Sequence, residues 1–470
     1  MKKLNFGVIV GTRGIFSAEL AKRGRKRLLD VLRQKGYGTV ILPVGETPTG
    51  AIETIDDARK CAKLFHEKAD KIDGIVVSLP NFSDELGIVN ALHLAKLDVP
   101  VLVHAEDDDN DKVDLSHRRD AFCGKLSVCN NLYQYGIPFT DTTIHTCKVD
   151  GKEFAADIDR FAAVCRVTNG LRNARIGAIG ARPAAFQTMR VSEKLLQDTG
   201  ITVVPVALSE ILAAARKMDD KAAAVKSKLK DIREYGSIPK TIPDEHVVRQ
   251  AKFGLSTERW IRDNNIDAAG FQCWESIQKN YGCASCLTMS MLGEKLTPCA
   301  CEVDVCGAVG MYALMLATGN PSALLDWNNN FGTDRDMCVC THCSNYPKSF
   351  VNGKIEISNL DILGTTLGPE NCFGAIKAKV KAGPMTFFRV STDDINGVVQ
   401  AYLGEGSFTN DRYPMDGGIA VCKVEDLQAL MKFICKAGFE HHVGMVRSHC
   451  ADIIEEALVT YLDWELYRHE

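Results

Sequence analysis

Apolar and polar positions follow two rhythms along this chain. In the first part, short apolar runs at Phe6–Val10, Thr39–Val44, Gly74–Ser78 and Val99–His104 are separated by longer stretches, Ala18–Lys35, Ile55–Lys71 and Leu86–Leu97, whose apolar residues recur at helical spacing. Strands that alternate with helices predict a parallel sheet covered by helices, because a parallel crossover needs a helix's length of chain. A second series of this kind begins at Ala174–Ile179, passes through Arg190–Thr199 and returns at Thr202–Val206. Beyond about residue 350 the rhythm shortens to Lys354–Ile357, Ala375–Val380, Met385–Val390, Gly397–Leu403 and Gly418–Lys423, parted by turn residues, with helical stretches at Val424–Ala437 and Cys450–Trp464. Short runs of this sort predict a mainly β region. The expected fold is therefore α/β: two N-terminal Rossmann-like domains with parallel sheets, 1–171 and 172–350, followed by a mainly β, barrel-like domain over 351–470. No internal repeat of solenoid period is apparent.

Composition narrows the function classes. At 470 residues the chain is long enough for two or three domains, and a net charge of -4 with 46% hydrophobic residues argues against a disordered tail or an electrostatic nucleic-acid surface. The acidic run Glu106–Lys112 reads as a solvated loop. The first apolar run ends at Gly11, short of a signal-peptide core, and no run approaches the roughly 20 apolar residues of a spanning helix. A cytoplasmic protein is expected, in which the 18 cysteines are mostly buried thiols.

Two segments carry candidate chemistry. In Cys299-Ala-Cys301-Glu302-Val-Asp304-Val-Cys306-Gly307, two carboxylates stand in an apolar setting, where a carboxylate pairs, neutralises or binds a metal; a surface turn is the plain alternative. Asp326 follows Glu302 by 24 residues. Late in the chain comes Phe439-Glu440-His441-His442-Val443-Gly444, with His449 seven residues after His442. An imidazole joined to two carboxylates suits a hard or borderline divalent cation such as Mn²⁺ or Mg²⁺. A competing thiol cluster would use Cys283-x-x-Cys286, Cys299-x-Cys301 and Cys338-x-Cys340-x-x-Cys343, although its spacing is irregular for zinc or iron–sulfur. No dinucleotide fingerprint, phosphate loop or nucleophile elbow is present.

Taken jointly, these segments resemble the L-fucose isomerase and L-arabinose isomerase family. Fucose isomerases carry a Thr-Glu-Asn-Asp segment, a second acid 24 residues on, and a His-His-Gly-type motif with another His seven positions later, as Glu302, Asp326, His441-His442 and His449 stand here. Gly270-Phe271-Gln272 looks like a substrate-contact segment, Gly11-Thr12-Arg13 resembles the Arg-bearing loop after the first strand, and Phe82 stands where the family places an aromatic residue near the sugar. His342, in Thr-His-Cys-Ser-Asn-Tyr-Pro, resembles the histidine that arabinose isomerases place after their second acid.

The resemblance implies an aldose–ketose isomerase. Glu302, Asp326 and His442 would hold Mn²⁺, or Mg²⁺ or Co²⁺, while the two carboxylates exchange protons with the sugar through a cis-enediol. Arg13, Phe82, Gln272, His342 and His449 would contact the sugar. It also implies a homo-oligomer, a hexamer or trimer, with active sites shared between subunits. Two alternatives remain open: an anionic 6-substituted aldose such as a sulfonated glucose, for which Arg13, Arg23 and Arg182 are candidate contacts, and a non-catalytic sugar-binding protein.

Overall fold

The computed structural model describes residues 3–343, 345–415 and 418–470. The chain packs as two compact units, Met1–Asn169 with Glu456–Asp463, and Gly170–Glu455 with Trp464–Glu470.

The first unit is built on β1 (Asn5–Val10), β2 (Gly38–Ile41), β3 (Gly74–Leu79), β4 (Val101–Ala105) and β5 (Thr140–Asp141), paired in parallel in the order β2-β1-β3-β4-β5. Its central strands read as unbroken apolar runs because helices cover both faces: Phe6, Val8, Leu28, Phe154 and Phe161 pack on one side, Ile9, Ile75, Val77, Val103 and Val128 on the other. A capping box at Thr54 and Asp57 starts the helix Ile55–Glu67. Near the C-terminus, Tyr461 joins this unit through bonds to Thr140 Oγ1 at 2.7 Å and the Val101 carbonyl at 3.2 Å. The acidic run departs from its expected character at one residue, since Glu106 is buried and ion-paired with Arg27 at 2.6 Å.

The second unit contains two sheets. The smaller comprises β6 (Arg175–Ile179), β7 (Thr202–Val206), β8 (Ala268–Phe271) and β9 (Cys299–Ala300), parallel in the order β7-β6-β8-β9. The larger comprises β10 (Ser322–Phe331), β11 (Asp334–His342), β12 (Val351–Asn359), β13 (Phe373–Val380), β14 (Gly383–Asp393), β15 (Val398–Phe408), β16 (Gly418–Lys423), β17 (His442–Val446) and β18 (Glu465–Arg468). Their order is β12-β13-β16-β11-β10-β17-β14-β15-β18, and because β15 also pairs with β16, the strands from β16 through β15 close on themselves as a barrel. Two parallel-sheet α/β elements followed by a large strand-rich sheet is the expected class.

The large sheet starts at Ser322, inside the stretch ascribed above to the central domain. Asn328-Asn329-Asn330 within β10 has low strand propensity, and pairing with β11, where Asn329 and Asn330 face Val339 and Cys338, overrides it. Between the two sheets lies the helix Val305–Thr318, which packs on β6 and β8 on one side and on β14 and β17 on the other. Covered from both directions, it carries no charged residue, and twelve of its positions are buried.

Candidate metal centre

The site is assembled where a strained turn from the small sheet meets three strands of the large one. After β9 the chain turns through Cys301–Asp304, and Val303 N donates to the Phe271 carbonyl at 2.9 Å. Glu302 and Val303 hold φ of 55° and 56°. That left-handed region is costly for any side chain and more so for a β-branched one, so tertiary contacts must fix it. One of those contacts requires Gly270: a Cβ there would lie 2.9 Å from Val303 Cα and carbonyl carbon. Gly270→Ala is expected to destabilise the second unit by about 1–3 kcal/mol, the usual range for overpacking, because backbone rather than a pliant side chain must move. Thermal melting beside the wild type checks this, and an unchanged transition would show that the turn yields freely.

Register supplies the other groups. On the antiparallel pair β10 and β17, Asp326 lies directly opposite His442. On the other flank Asp326 faces Thr341, so the next residue, His342, ends β11 beside the same place. His442 is buried, with its Nε2 2.8 Å from Glu302 Oε2, 3.4 Å from Asp326 Oδ1 and 3.2 Å from His342 Nε2. His342 Nε2 is 3.8 Å from Glu302 Oε2 and 3.7 Å from Asp326 Oδ1.

Proton positions follow from the outward bonds. His442 Nδ1 lies 2.8 Å from Asp304 Oδ2, a carboxylate that only accepts, so Nδ1 carries a proton and Nε2 of the neutral ring offers a lone pair. His342 differs, since its Nδ1 accepts the Cys343 N–H at 2.7 Å and its neutral ring therefore carries the proton on Nε2. Glu302 Oε2 and Asp326 Oδ1 are buried without a hydrogen-bond donor. Two anionic oxygens and an imidazole lone pair thus converge with nothing of fixed positive charge between them, which is the donor set a Mn²⁺-class ion takes. Two groupings have ligand spacing among the described residues, Glu302–His342–His442 and Asp326–His441–His442. Cysteine groups are absent from that set, and all 18 thiols are free.

In the absence of a cation the acids draw protons toward the histidines. Burial lowers both imidazoles, yet Asp326 and the neighbouring charges carry His342 well above its ordinary range, and the bonds to Asp304 and Glu302 raise His442. Burial would raise Glu302, but the His442 hydrogen bond and the two imidazoles hold it below the usual carboxylate range. Asp304 lies lower still, because the Arg389 guanidinium and His442 outweigh its burial.

Asp304 was visible in the sequence beside Glu302 without a role. It caps the helix Val305–Thr318 by accepting Gly307 N at 2.8 Å, and it is ion-paired to Arg389, with Nη2 3.1 Å from Oδ1. On its other edge Arg389 Nε donates to Glu440 Oε2 at 2.9 Å, and Ser391 Oγ donates to Glu440 Oε1 at 2.8 Å. Neither Arg389 nor Glu440 was singled out from sequence. The signal for Arg389 is its place in the apolar run Met385–Val390, where a lone charge requires a buried partner.

Glu302, Asp326, His342 and His442 line a cleft of about 510 Å³ whose lining also includes Phe186, Trp274, Asp361 and Lys377. Trp274 packs edge-on against Phe186 with ring centroids 5.3 Å apart, and its buried Nε1 lacks a partner. Lys377 is the one Lys or Arg among the described residues that line this cleft, and its Nζ meets Asp361 Oδ2 at 2.6 Å.

Other sequence candidates lie elsewhere. Gln272 Oε1 accepts Ala181 N at 3.0 Å and is outside the cleft lining. So is His449, an exposed residue with Nδ1 3.4 Å from Glu405 Oε2. Arg13 and Phe82 belong to the first unit and meet each other, with the guanidinium 4.4 Å from the ring centroid and paired to Glu85. Arg182 bonds the Pro183 carbonyl at 2.9 Å, and Arg23 the Glu19 carbonyl at 3.4 Å.

Residues 7–172 match the family model described as fucose/sulfoquinovose isomerase, N-terminal domain, and residues 340–470 match that of the L-fucose isomerase, C-terminal domain. A sulfoquinovose isomerase of Priestia megaterium is 24% identical over 462 residues, covering 97% of each chain. Another, of Alkalicoccus urumqiensis, is 24% identical over 306 residues, 64% of this chain and 66% of that protein.

Proposed function

We propose, from the premise that this chain is a divergent member of the L-fucose isomerase-like family and an aldose–ketose isomerase, that it interconverts a 6-sulfonated aldose of the sulfoquinovose kind and its ketose at a divalent-metal centre. The observation that carries the metal centre is the buried convergence of Glu302 Oε2, Asp326 Oδ1 and the His442 Nε2 lone pair. These three residues are the proposed ligands, with Mn²⁺ the first candidate and Mg²⁺ or Co²⁺ the alternatives. When bound, such an ion supplies Lewis-acid polarisation of the substrate carbonyl.

The chain's own groups carry the protons. Glu302 Oε2 and Asp326 Oδ1 are buried carboxylate oxygens of this cleft that lack a donor when His442 is neutral. One takes the proton from the carbon beside the carbonyl and returns it to the neighbouring carbon, while the other moves the hydroxyl proton, so that aldose and ketose exchange through a cis-enediol. His342 Nε2–H donates to the His442 Nε2 lone pair at 3.2 Å, and once a cation takes that lone pair the N–H is released to a sugar oxygen; acting as a ligand instead would require His342 to give up the Cys343 N–H bond. The Trp274 and Phe186 rings offer the sugar an apolar wall.

Two observations favour a sulfonated sugar over a plain deoxy sugar or pentose. The relatives carry the name sulfoquinovose isomerase, and Lys377 is the one Lys or Arg among the described residues of the cleft lining, beside its acids and histidines. Lys377, rather than Arg13, Arg23 or Arg182, is the proposed contact for the anionic substituent. Its present partner Asp361 is 59% exposed, so their pairing is screened and exchangeable. A panel of neutral and anionic aldoses assayed for ketose formation with Mn²⁺ tests this. Sulfoquinovose is expected to turn over, and Lys377→Ala to raise its KM about tenfold with kcat nearly unchanged, as loss of one charge-assisted bond implies. Turnover confined to neutral sugars would overturn the substrate.

The same reading includes a cytoplasmic homo-oligomer in which a neighbouring subunit brings Arg13 and Phe82 to the sugar. A monomer in light scattering would contradict that part.

A further inference from the structure

Buried charge is costly, and replacing a buried ion pair with apolar residues is often neutral or stabilising. Arg389 is 1% exposed, lies in an otherwise apolar strand segment, and is held between two buried carboxylates. Packing alone does not call for such a trio. Its geometry does have an outlet, because the Asp304 oxygen that meets Arg389 Nη1 is also the one 2.8 Å from His442 Nδ1.

We propose that Arg389 is a positioning residue for the metal centre: braced by Glu440, it clamps the Asp304 carboxylate against His442 Nδ1, so that His442 keeps its proton there and presents Nε2 to the cation. All four hydrogen-bond directions at Asp304 are occupied by Gly307 N, the two Arg389 Nη groups and His442 Nδ1. The carboxylate can neither rotate nor turn to another partner. A guanidinium is needed because its Nε edge takes Glu440 while its Nη groups take Asp304, a fork that an ammonium cannot reproduce. Outer groups of this sort fix ring orientation and tautomer at metal sites, and their loss typically weakens metal affinity by about ten- to hundredfold.

This inference rests on the proposed metal-binding role of His442, and a binding titration separates the two. Calorimetric titration of Mn²⁺ into wild type, Arg389→Met, Arg389→Lys and Asp304→Asn is run beside thermal melting of each metal-free protein. The wild type should bind one Mn²⁺. Arg389→Met and Asp304→Asn should bind about ten- to hundredfold more weakly, the latter because one amide oxygen cannot serve the donors that two carboxylate oxygens serve. Arg389→Lys should recover part of the loss. A purely structural role would lower melting and leave the Mn²⁺ Kd of the folded protein alone, so a Kd within about twofold of wild type in either main variant overturns the inference. Should Arg389→Met fail to fold, Asp304→Asn, which keeps shape and volume, decides by the same criterion. A wild-type chain that takes up no Mn²⁺ overturns the proposed function and this inference together.

Discussion

Glu302→Gln is expected to lower kcat/KM at saturating Mn²⁺ by about a thousandfold or more. The substitution changes one oxygen to an amide with almost no change of volume, so packing around the left-handed turn at Glu302 and Val303 should survive. What it removes is specific. Oε2, 2.8 Å from His442 Nε2 and without a hydrogen-bond donor when that ring is neutral, is both a proposed ligand atom and a proposed proton acceptor. Loss of a positioned proton-transfer group alone typically costs about a hundred- to ten-thousandfold. Steady-state kinetics at increasing Mn²⁺ checks the value, since a deficit that vanishes with added metal would assign Glu302 to binding alone. Near-normal turnover would remove Glu302 from the chemistry.

The second large effect is expected on removing divalent ions. A chelator should abolish ketose formation reversibly, with activity restored by Mn²⁺, and should lower the melting of the second unit by about 5 °C. An ion present at a hundred times its Kd contributes about 2.7 kcal/mol, and a unit of this size shifts by about 2 °C per kcal/mol, the low end for domains of about 150–250 residues. The dependence on pH has a definite sign. In the metal-free site His442 is held above its ordinary value, so protons compete with the cation for its Nε2. Metal affinity should therefore weaken as pH falls through that raised value, and uptake should release protons. A Mn²⁺ Kd constant between pH 8 and pH 6 would contradict this picture.

What the sequence disclosed follows from what its patterns record. Apolar periodicity records burial, so the parallel sheet of the first unit and the strands β12 to β16 were legible from their runs, while β17 and β18 were not foreseen. It does not record pairing. The register that sets Asp326 opposite His442 was open to inference only through a family resemblance in spacing, and β10, with its polar Asn328-Asn329-Asn330, carried little strand signal. His342 was recognised as a neighbour of the site, but the bond from Cys343 N that decides its proton is a matter of local geometry. Arg389 and Glu440 stayed hidden because a buried charge is explained by its partner, and here that partner lies 85 residues away in the chain for Asp304 and 51 for Glu440. Lys377 was passed over for a similar reason, since strand alternation does not say which cation borders a cleft.

Glu302, Asp326 and His442 are proposed to form one divalent-metal site. Elemental analysis of the purified chain beside Asp326→Asn, after equilibration with Mn²⁺ and gel filtration, tests it most directly. One Mn²⁺-class ion per wild-type chain is expected, and its loss from the folded variant. An equal content of metal in both proteins, or zinc or iron that survives the substitution, would contradict it.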